Sequence, residues 1–303
     1  MKSLLICPSR RPAIPHLSAF GPLATTPIFG DCLVGHWVEH LAALGARQIH
    51  IAAAEGADMV SAAVGDGARW GVRITVVTAK AEPTREEAIE HYRPTGENGW
   101  LPAPFDVVAM THLPGCSDLP LFESYASWFA ALMAWMPLAL TPARVRVTQA
   151  RPGIWIGSRS SVSPKAELFA PCWIGDQACI EAGAVVGPGV IIEDRAIVAG
   201  KSGVSQCWVG PDTFVGPMTA VANSLAWGSR LINWQTDSSL HVPDPFLLSS
   251  LTSLKSLEAT DRFGRALGAK DSVSQESHIT ALRARGVHAS EEKFARLSSR
   301  SPL

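Results

Sequence analysis

An aliphatic residue stands at every sixth position from Ile156 onward: Ile156, Val162, Leu168, Ile174, Ile180, Val186, Ile192, Val198 and Val204. One five-residue step follows, the count resumes at Val209, Val215 and Val221, and Trp227 closes it. The next position is usually small or acidic (Gly157, Gly175, Glu181, Glu193, Gly210), and the fourth is usually small (Ser160, Cys172, Ala178, Ala184, Ala196). Neither the helix period nor plain strand alternation produces a hexad. A parallel β-helix does: each hexad makes one flat face, three faces make a triangular coil, and the aliphatic column fills its interior. About four such coils fit between residues 151 and 235, enough for neighbours to bury each other's apolar faces.

The first 150 residues carry a different rhythm. Short apolar runs at Leu4–Cys7, Gln48–Ala52, Val72–Val77 and Phe105–Met110 predict strands, and Arg144–Thr148 predicts a fifth. Between them, Leu33, Val34, Trp37, Leu41 and Leu44 recur at helical spacing within Asp31–Leu44, ended by Gly45. Further helices are expected over Ala57–Val64, from the Thr84/Glu87 capping box through Tyr92, and over Leu119–Met136. Arg93–Pro104 reads as loop. Strands alternating with helices predict a parallel sheet covered on both faces. After Trp227 the pattern changes again. Asp244-Pro245 reads as a helix start, with Leu247, Leu248, Leu251, Leu254 and Leu257 at helical spacing, and this helix is expected to cap the open end of the coils. From Gly268 the chain is polar and reads as a solvated terminus. The expected organisation is therefore an α/β domain over 1–150, a left-handed β-helix over 151–235, and a helical cap and polar tail over 236–303.

Composition narrows this picture modestly. The chain has 303 residues, 47% hydrophobic and 17% charged, with a formal net charge of −1. That balance offers no attraction to nucleic acid or an anionic membrane. The most apolar run, Trp128–Leu140, is too short to span a bilayer and contains Pro137. The N-terminus lacks a secretory apolar core, and the six cysteines form no CxxC pair. A reduced, cytoplasmic chain is the expectation.

Two segments resemble the sugar-phosphate nucleotidyltransferases, the NDP-sugar pyrophosphorylases. Gly21–Ile51 (GPLATTPIFGDCLVGHWVEHLAALGARQIHI) is similar to that family's run from the signature loop into its first helix and second strand. Val64–Val77 (VGDGARWGVRITVV) is similar to its GDGSRFGVKITYV segment, the more specific match. The resemblance implies a Rossmann-like nucleotidyltransferase domain followed by hexad coils. It also implies transfer of a nucleotidyl group from an NTP to a sugar 1-phosphate, with Mg²⁺ as cofactor.

The residues that such chemistry requires are largely replaced. Where the family has a glycine-rich phosphate loop, this chain reads Cys7–Leu17 (CPSRRPAIPHL), without glycine and with Pro8, Pro12 and Pro15 each lacking an N–H. Arg10 and Arg11 are the remaining candidates to meet a phosphate. The family's lysine falls at Gly21, its base-contacting segment at Glu82–Ile89, and its metal carboxylate at Thr111-His112, leaving Asp118 as a substitute and Asp106 as a further acidic group. Only about forty residues separate the fourth strand from the coils, too few for the family's sugar-phosphate pocket. The expectation is a truncated, catalytically impaired member that acts as a regulatory or scaffolding subunit. Its partners would be a second copy or a related nucleotidyltransferase, with a nucleotide or sugar nucleotide as possible ligand and no cofactor. The alternatives are an active nucleotidyltransferase using Mg²⁺ and a hexad-repeat acyltransferase. The latter needs a histidine base, yet none occurs between Leu113 and Leu240, leaving only His112 and His241. His36–His40 (HWVEH) matches a zinc-protease spacing but lies on a helix with no third ligand indicated. Trp155, Trp173, Trp208 and Trp227 are expected at corners or subunit contacts.

Overall fold

The computed structural model describes residues 1–92, 98–141 and 147–252. Residues Met1–Ser253 form one compact unit. Its first part holds four parallel strands, β1 (Lys2–Ile6), β2 (Gln48–Ala53), β3 (Arg73–Thr78) and β4 (Val107–Ala109), in the order β3-β2-β1-β4. Ile6 pairs with Ala52 on one side and Ala109 on the other. Helices α1 (Leu33–Ala43), α2 (Ala57–Val64), α3 (Arg85–Tyr92) and α4 (Tyr125–Trp135) connect and cover these strands. Side-chain alternation divides the layers: Leu5, Ile49 and Ile51 share a core with α1, α2 and α4. Leu4, Ile6 and Ala52 face the other way, against Ala88 of α3 and Trp100. The Thr84/Glu87 capping box opens α3, through a Thr84 N–H to Glu87 Oε2 bond of 2.8 Å and its reciprocal. Helix α4 starts later than its apolar run suggests because Ser124 caps it, accepting from the Ser127 N–H at 3.0 Å.

In the second part, strands stack in parallel, coil upon coil. Ile154 pairs with Cys172 and Cys172 with Val190, a spacing of 18 residues, three hexads per coil. From Val190 to Cys207 and from Cys207 to Ser224 the spacing is 17 residues. The pairing is that of β-helix coils with two five-residue steps, Val204 to Val209 and Val221 to Ala226. Ala226, not Trp227, therefore continues the inner column, pairing with Val209 and fully buried. Val162, Ile180, Val198 and Val215 align on the second face, and Leu168, Val186, Val204 and Val221 on the third. Ile174, Val186, Ile192, Val198, Val209 and Val215 are fully buried in one cluster; Ile156, Val162 and Leu168 of the first coil are half-buried, having no coil beneath them.

Most corners bend through a left-handed residue. At one corner the stack reads Arg159, Gln177, Arg195 and Asp212, with φ of 57°, 57°, 60° and 51°. The small position after the inner aliphatic residue has a steric cause: a Cβ on Gly157 would lie 2.5 Å from the Gly175 backbone of the coil above.

Three expectations are corrected. Leu248–Ser250 is a strand pairing antiparallel with Thr213–Val215, because the second face offers an unpaired edge there, and helical backbone begins only at Leu251. Leu254, Leu257 and the polar stretch 268–303 lie outside the described residues. The strand near residue 147 spans Val147–Arg151 and pairs antiparallel with Ile154–Gly157, so it joins the coil sheet and not the α/β sheet; Arg144–Arg146 lie outside the described residues. The coil tryptophans are neither corner fillers nor free for a subunit contact. Trp155, Trp173, Ile191, Trp208 and Leu225 form the outward column of one coil face and belong to the core of the α/β part. Trp208 meets Trp128 of α4 edge-on at 5.2 Å, and Trp173 meets Phe29 at 4.9 Å. Trp227 stacks on Phe20 at 3.8 Å.

Candidate functional site

Ligands of open parallel sheets gather at the carboxyl ends of the strands. Here that edge is built from the Cys7–Leu17 loop after β1, Glu55 after β2, and Ala79–Pro83 after β3. Arg11 lies in this edge, its Nη1 and Nη2 donating to the two Glu82 carboxylate oxygens at 2.7 Å each. The Ser9 N–H donates to Glu82 Oε2 at 2.8 Å. The Glu82 carboxylate thus receives one backbone amide and a bidentate guanidinium, a donor set suited to an external anion. Partial burial raises the Glu82 pKa, but the Arg11 and Ser9 hydrogen bonds outweigh it and hold the carboxyl below its usual range. Hydrogen bonding to Glu82 raises Arg11 in turn. Arg10 is exposed and its Nε stands 3.5 Å from Glu55 Oε2.

The other sequence candidates make contacts of their own. Asp106 is buried and salt-bridged at 2.5 Å to Arg85, which also bonds the Val107 carbonyl. Asp118 is exposed, accepting from the Ser117 hydroxyl at 3.2 Å. His112 bonds the Leu113 carbonyl through Nδ1, and its own carbonyl accepts the Trp37 indole N–H at 3.0 Å. No group of three His, Cys, Asp or Glu side chains among the described residues converges to hold a metal ion. The zinc-protease spacing resolves similarly: His36 Nε2 is committed to the Ile28 carbonyl at 2.7 Å, and Glu39 accepts the Thr141 hydroxyl. Gly65–Gly67 is a turn, with Asp66 Oδ1 accepting the Ala68 N–H and Gly67 at φ 87°.

No protein-family model and no curated protein sequence matches this chain. Among solved structures, the acetyltransferase domain of PglB from Neisseria gonorrhoeae, solved in complex with acetyl coenzyme A, is similar at 14% identity. The match covers 60% of this chain and 89% of that one, with a TM-score of 0.22. Agreement this loose carries no functional argument.

Sequence reasoning missed Glu193. The registers align Gly157, Gly175, Glu193 and Gly210 at one corner, so a lone glutamate stands in a column of glycines. Its carboxylate is almost fully buried and accepts three N–H groups: Phe29 at 2.7 Å, Gly30 at 2.9 Å and the Trp208 indole at 3.0 Å. Burial pushes its pKa up to about 7, against the pull of the Gly30 amide. Phe29 and Gly30 both have positive φ, 51° and 77°, so consecutive N–H groups aim at one point. The signal was an acidic residue at a corner where the other coils have no room for a side chain.

Proposed function

We propose that this chain is a sugar-phosphate nucleotidyltransferase-like protein without competent transfer, serving nucleotide-sugar or polysaccharide biosynthesis as a regulatory or scaffolding subunit. The observation that carries this reading is the Arg11–Glu82 pair. The donors best placed to hold a triphosphate, the Ser9 amide and the Arg11 guanidinium, are already satisfied by the protein's own carboxylate. An NTP would have to displace that carboxylate and then bear its repulsion. The two basic candidates, Arg10 and Arg11, are thus structural ion-pair partners in this reading. The hexad pattern supports a left-handed winding of the coils, one wall of which backs the α/β part. A second copy or a related active subunit is the partner proposed.

The test is pyrophosphate release from a panel of NTPs and sugar 1-phosphates with Mg²⁺. No turnover above background is expected; measurable turnover with any pair would restore the active-enzyme reading. The acyltransferase alternative gains no support from the geometry, since His241 is exposed at the rim and contacts Ser229 at 3.2 Å, while His112 lies against Trp37.

A further inference from the structure

The loop after β1 meets the hairpin formed by Arg230–Asn233 and Ser238–His241. Arg230 Nη1 lies 3.3 Å from His16 Nδ1 and 3.3 Å from Ser239 Oγ. A guanidinium only donates, so both of these atoms accept, and the neutral imidazole carries its proton on Nε2. Burial lowers the His16 pKa and the Arg230 charge adds to this, which keeps the ring neutral at pH 7. Tyr125 of α4 fixes the loop here, its hydroxyl accepting the His16 N–H at 3.0 Å and its ring stacked on the imidazole at 6.4 Å. Arg230 is thus anchored through Nη1. Its Nε and Nη2 have no hydrogen-bond partner, and its charge no carboxylate in salt-bridge reach, among the described residues. Arg10 and Arg11 of the same loop, by contrast, are matched by Glu55 and Glu82. Trp227 stands opposite Arg230 on one face of the ladder, so its stack with Phe20 borders the guanidinium with apolar surface. Asp237, at the exposed turn of the hairpin, is an acidic group close enough to be felt: burial raises the Tyr125 pKa and Asp237 adds to it.

Two parallel N–H groups on one guanidinium edge, anchored from the other side, match the paired oxygens of a phosphate or a carboxylate. We propose that the Nε–Nη2 edge of Arg230 binds a small oxyanion of this kind, with the Ser239 hydroxyl beside it as a further donor. The site is distinct from the Arg11–Glu82 pair and does not depend on the reading of that pair.

The test titrates the full chain against inorganic phosphate, followed by broadening of its ³¹P line, and against acetate, followed by its methyl proton line. Saturable broadening of at least one probe is expected, and the probe held more tightly tells a phosphate ligand from a carboxylate. Arg230→Gln is expected to weaken that probe about tenfold or more, and Arg230→Lys, which keeps the charge but loses the fork, about threefold. Asp237→Asn, at an exposed position, is expected to tighten it about twofold. Broadening that saturates with neither probe, or saturable binding unchanged in folded Arg230→Gln, overturns the assignment. Should Arg230→Gln lose its thermal transition, Asp237→Asn decides instead: tighter binding supports the site and unchanged binding overturns it.

Discussion

The carboxylate of Glu193, at a coil corner, accepts the backbone N–H of Phe29 at 2.7 Å across 164 residues of sequence. This bond, with its partners at Gly30 and Trp208, is a buried polar element within a largely apolar junction. Its folded-state pKa of about 7 exceeds the ordinary 4.5. Between those values the folded chain holds a proton that the unfolded chain has released, so stability falls as pH rises from about 4.5 to about 7 and is flat above. Glu193→Gln is expected to remove that slope, worth roughly 3 kcal/mol at its full extent. Urea midpoints of both proteins at pH 4.5, 5.5, 6.5 and 7.5 check this; parallel pH profiles would refute it.

Trp208→Ala should cost about 3–5 kcal/mol, because the indole is fully buried between α4 and Trp227 and leaves a cavity on removal. Since Trp128, Trp173 and Trp208 share one cluster with α1 and α4, sheet and coils should still unfold in a single transition. Coincident far- and near-ultraviolet dichroism curves are the expected result; separated curves would show two independent units.

Gln177, at φ 57°, sits in the left-handed corner stack. Gln177→Gly should be neutral or stabilising by up to about 1 kcal/mol, and Gln177→Val destabilising by about 1–2 kcal/mol, as branching at Cβ is least tolerated there. Thermal midpoints of the two variants, ordered Gly above wild type above Val, check the corner geometry.

Glu82→Gln removes the charge that Arg11 and Ser9 share and leaves both donors seeking an anion. With Arg230→Gln present in both proteins, inorganic pyrophosphate is expected to raise the thermal midpoint of this variant and to leave that of the Glu82 form unchanged. A rise in the Glu82 form would mean that Glu82 yields the site readily, and no rise in either would mean that the donors do not form an anion site.

The coils were legible in the sequence because each hexad repeats one steric demand, an aliphatic residue inward with a tight corner after it. The second five-residue step was not: Val221 and Trp227 satisfy a hexad count, and only the pairing of Val209 with Ala226 shows that Ala226 turns inward. Strands β1 to β4 followed from short apolar runs between helices. Leu248–Ser250 defeated the helical spacing because an open strand edge outweighed local periodicity. At the sheet edge, the loss of glycine from Cys7–Leu17 could be read directly. That Arg11 would be met by Glu82, 71 residues away, depends on tertiary neighbours. So does the meeting of Glu193 with Phe29.

The outward tryptophan column sets a limit on how this architecture can be rearranged. In a chain whose sheet and coils were strung like beads, either could be cut out and joined to another protein. Here the coil wall that carries Trp173 and Trp208 is also the floor of the neighbouring fold. A coil segment transplanted alone would carry a bare indole ladder into water, and the sheet left behind would lose the surface that closes it. The two can be inherited only together.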